Sequence, residues 1–228
     1  MTPFLPRRIL ATLAEGGVDC IVIGGVACAA HGSIRTTQDL AVLCRNDAAN
    51  LVHIAAALSR LQAKVKGSRQ PPQPITPALL EGVRLMTFET AAGEIDVFFY
   101  VPGMTAYDDL AFRAVAMEMQ GRTVRVVSLR DLIGLKRATG RPIDAVIADE
   151  LEQLEELERL EPPSGPDSVT ATGATQMEHP SRNRPPHTPA RRRRSILAVR
   201  LVVEANAAPP DGPDRGDSGF GHGRVAIH

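Results

Sequence analysis

No tryptophan occurs in this chain, and of its 228 residues only two are tyrosine and six phenylalanine. So few aromatics argue against the stacking platforms that hold single-stranded nucleic acid. Lysine and arginine number 26 and aspartate and glutamate 26, so no net charge draws the whole chain to a polyanion; only local patches remain. There are three cysteines, Cys20, Cys28 and Cys44, in or beside apolar runs and without the paired spacing of a zinc site or a disulfide framework. They read as reduced, buried thiols of a cytosolic protein. No apolar stretch approaches the roughly 18 residues needed to span a bilayer. Arg7 and Arg8 are not followed by the long apolar core of a signal peptide. The expectation is a cytoplasmic protein without a membrane partner.

What the chain does contain divides near residue 162. Residues 1–161 carry periodic apolar patterning and read as one folded domain. From Pro162 onward lie ten of the eighteen prolines, no lysine, and the basic run Arg191-Arg192-Arg193-Arg194. Residues 162–228 therefore read as a disordered Pro/Arg/Gly-rich tail that buries too little apolar surface to offset its ordering entropy. The arginine run also fits a phosphate-binding tail. Within the domain, Leu5, Ile9, Leu10 and Leu13 fall at helical spacing and Gly16-Gly17 stops the helix. Cys20–Ile23 and Leu40–Cys44 read as buried strands, with a small-residue helix over Gly25–His31 between them. Asp47 caps a helix through Leu58. Pro71, Pro72, Pro74 and Pro77 mark a loop leading into a short helix at Pro77–Glu81. Val83–Thr90 with Glu94–Val101, and Val115–Met119 with Thr123–Val127, read as hairpins, the second turning at Gln120-Gly121-Arg122. Ser128 caps a helix to about Thr139, with Asp131 three positions on, close to a capping box. A last helix runs from Pro142 to Leu160 with Ile147, Leu151, Leu154 and Leu157 as its apolar stripe and an acidic opposite face. The class is α/β (α+β): a mixed sheet flanked by helices, with a C-terminal helical segment.

One constellation stands out. Gly24-Gly25 follow the apolar run Ile21-Val22-Ile23, and Asp39 comes fourteen positions after Gly25, at the start of the next strand. Asp96 lies on a later strand, with Glu94 two residues before it on the same face. A glycine turn opening a helix offers backbone N–H groups to phosphates. Magnesium is held by one or two carboxylates plus phosphate oxygens. Together these are the parts of a metal-dependent nucleotidyl-transfer site. A further acid belongs at i+2 from Asp39, where the chain has Ala41, and a methyl group ligates nothing. Each part also has a plain reading. Gly24-Gly25 fit a tight strand–helix turn, Asp39 a turn acid, and Glu94 and Asp96 a solvated strand face. Lys136 and Arg137 fit helix C-terminal cations, Asp144 a first-turn acid, and His31 a helix-end residue. Arg35 fits equally a phosphate ligand or the partner of an acid such as Asp39.

The stretches Val22-Ile23-Gly24-Gly25-Val26-Ala27, Gly32-Ser33-Ile34-Arg35-Thr36-Thr37-Gln38-Asp39-Leu40 and Glu94-Ile95-Asp96-Val97, followed by Val127–Ala138 and Gly140–Asp144, resemble the AbiEii-type and minimal nucleotidyltransferases of the DNA-polymerase-β-like superfamily. The resemblance covers residues from about 18 to 155. It implies transfer of a nucleoside monophosphate from a nucleoside triphosphate, with Mg2+ or Mn2+, to an acceptor such as tRNA or protein. It also implies a setting in toxin–antitoxin systems, with a cognate toxin or antitoxin as partner. By the same resemblance Gly24, Gly25, Arg35, Thr37 and Lys136 bind nucleotide, Asp39 and Asp96 bind metal, and Asp39, Asp96, Lys136 and Asp144 are the catalytic set. Ala41 departs from the pattern where an acid is needed. Three origins fit it: a natural pseudoenzyme acting as a nucleotide- or partner-binding module, a laboratory replacement of a carboxylate, or an enzyme in which Glu94 compensates.

Overall fold

In the computed structural model, residues 3–69, 73–119 and 121–160 are described. The tail reading for 162–228, the prolines at 71 and 72 and the turn residue Gln120 lie outside them. Seven strands form one mixed sheet: β1 (Cys20–Ile23), β2 (Asp39–Cys44), β3 (Lys64–Val65), β4 (Leu85–Thr90), β5 (Gly93–Phe98), β6 (Val115–Met119) and β7 (Arg122–Val126). Their spatial order is β3-β4-β5-β2-β1-β7-β6. The β2–β5 and β1–β7 pairs are parallel and the others antiparallel. The helices are α1 (Pro6–Glu15), α2 (Gly24–Ala30), α3 (Ala48–Arg60), α4 (Pro77–Leu80), α5 (Tyr107–Arg113), α6 (Leu129–Ala138) and α7 (Pro142–Leu160). The mixed α/β class read from the sequence is the class observed.

Burial explains which part of the sheet is available for chemistry. Every β1 and β2 residue after the first is buried, as expected for central strands covered on both faces. β5 alternates instead. Gly93, Ile95 and Val97 are buried, while Glu94, Asp96 and Phe98 are only partly covered. Ile95 and Val97 have no exposed surface, and burying such a side chain contributes about 1.5–3 kcal/mol. A one-residue slip would exchange them for Glu94 and Asp96, so the register is fixed by the core. That register sets Asp39 opposite Glu94 and Ala41 opposite Asp96 on parallel strands.

Local chemistry places the helices. Asp47 caps α3 by accepting from the Asn50 N–H. Ser128 caps α6 by accepting from the Asp131 N–H, and its hydroxyl donates to the Asp131 carboxylate. The acid therefore binds the cap hydroxyl rather than the cap backbone of a capping box. On α7, Leu151 is buried and Ile147 and Leu154 pack partly against the core, but Leu157 is 59% exposed. The expected stripe thus ends at Leu154, because the helix runs past the core there. Two elements had no signal in the sequence. β3 has only two residues, and α5 begins at Tyr107 without a cap side chain. Among the described residues no helix is long and apolar enough to cross a membrane.

Candidate functional site

Gly24 and Gly25 are the first residues of α2, which lies against β1 and β2. Two different constraints demand glycine here. Gly24 has φ +66°, and a Cβ there would stand 2.8 Å from the Cβ of Ala41. At Gly25 a Cβ would stand 2.7 Å from Cβ and Oγ1 of Thr37. Thr37 in turn donates its hydroxyl to Oδ1 of Asp39 at 2.6 Å. The glycine turn, Thr37 and Asp39 are thus locked together at one end of β1 and β2.

Asp96 faces the same region from β5. Its carboxylate accepts from the Thr87 hydroxyl at 2.6 Å. Burial raises its pKa above the usual carboxylate range; the Thr87 hydrogen bond opposes this, and the charges of Asp39 and Glu94 add to it. An acid held up in this way by other acids sits where a cation is electrostatically favoured. Glu94 itself is paired with Lys66 at 2.7 Å. Ala41 lies between Asp39 and Asp96 on the sheet face and is 6% exposed, its methyl group under Gly24.

The opposite wall comes from α6 and α7. Lys136 donates to Oδ1 of Asp144 at 2.8 Å. Thr139 and Arg141 donate to Oδ2 of Asp144, which is 1% exposed. Burial works against the Asp144 carboxylate, but these three donors outweigh it and hold its pKa below the usual range. Arg35, from the segment between α2 and β2, binds Glu150 of α7 through two bonds of 2.7 and 2.6 Å. Of the two readings of Arg35, the pairing with an acid is the one observed, and the acid is Glu150, 115 residues away, rather than Asp39. His31 is indeed at the end of α2, and its Nε2 lies 2.8 Å from the Val127 carbonyl oxygen.

Of these groups, the two glycines, Arg35, Thr37, Asp39, Asp96, Lys136, Thr139, Arg141 and Asp144 line one cavity of about 660 Å³. Gly24, Gly25, Arg35, Thr37, Asp39 and Asp96 line one side, and Lys136 and Asp144 the other. The glycines, Arg35, Thr37, Asp39, Asp96, Lys136 and Asp144 therefore border the same space, whereas Glu94, the acid offered as compensating for Ala41, pairs with Lys66 and is not among the residues that line it. Further contributors were not singled out for the site from the sequence. Thr87 orients Asp96, Glu150 engages Arg35, and Leu85, Phe98, Val101, Ile143 and Ile147 give the cavity an apolar section. Only their placement by the fold reveals them.

Among the described residues no group of three or more His, Cys, Asp or Glu side chains is placed to hold a metal ion. Asp39 and Asp96 suit magnesium only where phosphate oxygens and water complete its shell.

No family model and no curated protein matches this chain. Among solved structures, it is similar to the antibiotic-resistance factor ANT(2'')-Ia in solution: 16% identity over 68% of this chain and 89% of that one, TM-score 0.42. For ANT(2'')-Ia in complex with adenylyl-2''-tobramycin the figures are 15%, 68%, 94% and 0.41. For the lincosamide antibiotic adenylyltransferase LnuA bound to lincomycin they are 12%, 67%, 99% and 0.46.

Proposed function

We propose that the cavity binds a nucleoside triphosphate with a divalent cation, and that the chain transfers the nucleoside monophosphate to an acceptor slowly, because Ala41 supplies no ligand. One observation carries this reading. Four segments far apart in sequence deliver Gly24-Gly25, Asp39, Asp96 and Lys136 to a single cavity. The α2 N-terminus offers N–H groups to phosphate oxygens. Lys136 and Arg35 are within reach of the same phosphates once they exchange their carboxylate partners. Asp39 and Asp96 would hold the magnesium or manganese ion, which would neutralise charge on the phosphates. The acceptor, a tRNA or a protein, brings the attacking hydroxyl, which displaces pyrophosphate from the α-phosphorus.

A second reading is a nucleotide- or partner-binding module without turnover, in the manner of an antitoxin. The packing of Ala41 under Gly24 favours it, since the acid-free position is closed rather than open. Calorimetric titration of Mg-ATP into the protein and into Ala41→Asp, beside transfer of label from each nucleoside triphosphate, separates the two. Binding by both forms with transfer restored in Ala41→Asp supports the transferase. Binding without transfer in either form supports the module. Absence of binding in both forms rejects the site.

A further inference from the structure

Cys20 begins β1 and Cys44 ends β2, and the antiparallel register sets them directly opposite each other. The Arg45 N–H donates to the Asp19 carbonyl, so the neighbouring pair is hydrogen-bonded. The 20–44 pair therefore falls on the non-bonded step of the ladder, where facing Cα atoms are about 4.5 Å apart and side chains lean together. Disulfides span Cα separations of about 4.4–6.8 Å, so a pair at this step of the ladder lies within bridging distance. Both thiols are free. The neighbouring Cys20 thiol, together with burial, pushes the Cys44 thiol well above its ordinary range. Cys44 is 1% exposed, whereas Cys20 is only half-buried and is the sulfur a reagent reaches first.

We propose that Cys20 and Cys44 form a modification site: a low-molecular-weight disulfide such as oxidised glutathione converts the pair to a cross-strand disulfide between β1 and β2. The Cys20 thiolate attacks one glutathione sulfur, forming a mixed disulfide and releasing one glutathione thiolate. The Cys44 sulfur, giving up its proton to solvent, attacks the Cys20 sulfur and expels the second glutathione as a thiolate; the two protons released by Cys20 and Cys44 end on the two glutathione thiols. Two protein thiols are oxidised and one glutathione disulfide is reduced to two thiols. The bridge closes the segment 20–44, which carries Gly24, Gly25, Arg35, Thr37 and Asp39. It therefore restrains, in the unfolded chain, the part that builds one side of the cavity. Cys28 stands on α2, a different element, and is left free.

The test uses the full chain incubated with oxidised glutathione and then analysed by intact mass, thiol titration under denaturing conditions and peptide mapping. The expected product has lost two hydrogen atoms, keeps one thiol and links the Cys20 and Cys44 peptides. Its Tm rises by about 5 °C and returns on reduction. Cys28→Ala forms the same bridge, and Cys20→Ser forms none and shows no rise. Three remaining thiols, a glutathione adduct that stops at Cys20, a bridge to Cys28 or a link between two chains would each overturn the proposal.

Discussion

Lys136 and Asp144 form an ion pair of 2.8 Å whose side chains are 14% and 2% exposed, so the contact joining α6 to α7 is nearly out of water. Removing one member of such a pair strands the other. Asp144→Ala is expected to lower unfolding free energy by about 3–5 kcal/mol. Lys136→Met costs less, about 1–3 kcal/mol, because Thr139 and Arg141 still serve Asp144. Urea denaturation at pH 7 measures both. The sign with pH follows from the lowered Asp144 pKa. Its stabilisation is fully present above the unfolded value of about 3.9 and is lost as pH falls through the folded value. The gap between the protein and Asp144→Asn should narrow in acid below about pH 4. Equal stability of all three proteins at pH 7 would exclude a structural role for the pair.

Asp96 has the opposite sign. Its pKa is raised, first by burial and then by Asp39 and Glu94. A carboxyl raised on folding stabilises the protein only while protonated, and that contribution disappears as pH rises through the folded value. When ionised, Asp96 is a net cost to the fold. Asp96→Asn keeps an oxygen for the Thr87 hydroxyl and removes the charge. Its Tm at pH 7 should therefore rise, while Mg-ATP binding by calorimetry weakens about tenfold or more. A lower Tm for Asp96→Asn would show that the acid is a structural group rather than one held against its preference for a ligand.

Gly24 combines a left-handed φ of +66° with a Cβ position 2.8 Å from Ala41. Non-glycine residues in that conformation cost about 1–2 kcal/mol, and overpacking typically costs about 1–3 kcal/mol more. Gly24→Ala should lose about 2–5 kcal/mol by chemical denaturation. At Gly25 the φ is ordinary and the obstacle is Thr37. Gly25→Ala should therefore be milder in stability but should displace Thr37 from Asp39. Because the crowding comes chiefly from Cβ and Oγ1 of Thr37, Gly25→Ala with Thr37→Gly tests this, since it removes both atoms. If Gly24→Ala is no worse than Gly25→Ala, backbone conformation is not the reason for glycine at 24.

The central strands were legible because they are short apolar runs bounded by glycine or acid: Cys20–Ile23, Leu40–Cys44 and the alternating Glu94–Phe98. Burial on both faces or on one face writes itself directly into residue type. Asp39, Asp96 and the glycine turn were legible for the same reason, since each sits at a fixed offset from such a run. The partners of the site were not. Thr87 and Asp96 meet only through the β4–β5 register, and Glu150 meets Arg35 only because α7 packs against α6 and returns over the cavity. No local pattern distinguishes Glu150 from the other acids of α7. The apolar patterning likewise continues to Leu157 with nothing local to mark where the core stops.

Arg35 binds Glu150 through two hydrogen bonds, yet their side chains are 38% and 42% exposed. An exposed pair of this kind contributes about 1 kcal/mol or less to stability. Its consequence lies instead in the cavity, because a guanidinium engaged by a carboxylate is not available to a phosphate. Glu150→Gln removes the competing charge while keeping an oxygen of similar reach. It should change unfolding free energy by less than about 1 kcal/mol and tighten Mg-ATP about 3–10-fold. Arg35→Ala should weaken Mg-ATP, and the double variant should match Arg35→Ala, since Glu150 acts only through Arg35. Calorimetric titrations of the four proteins in one buffer form the cycle. A Glu150→Gln effect that persists without Arg35 would assign the glutamate a direct repulsive contact with the nucleotide instead.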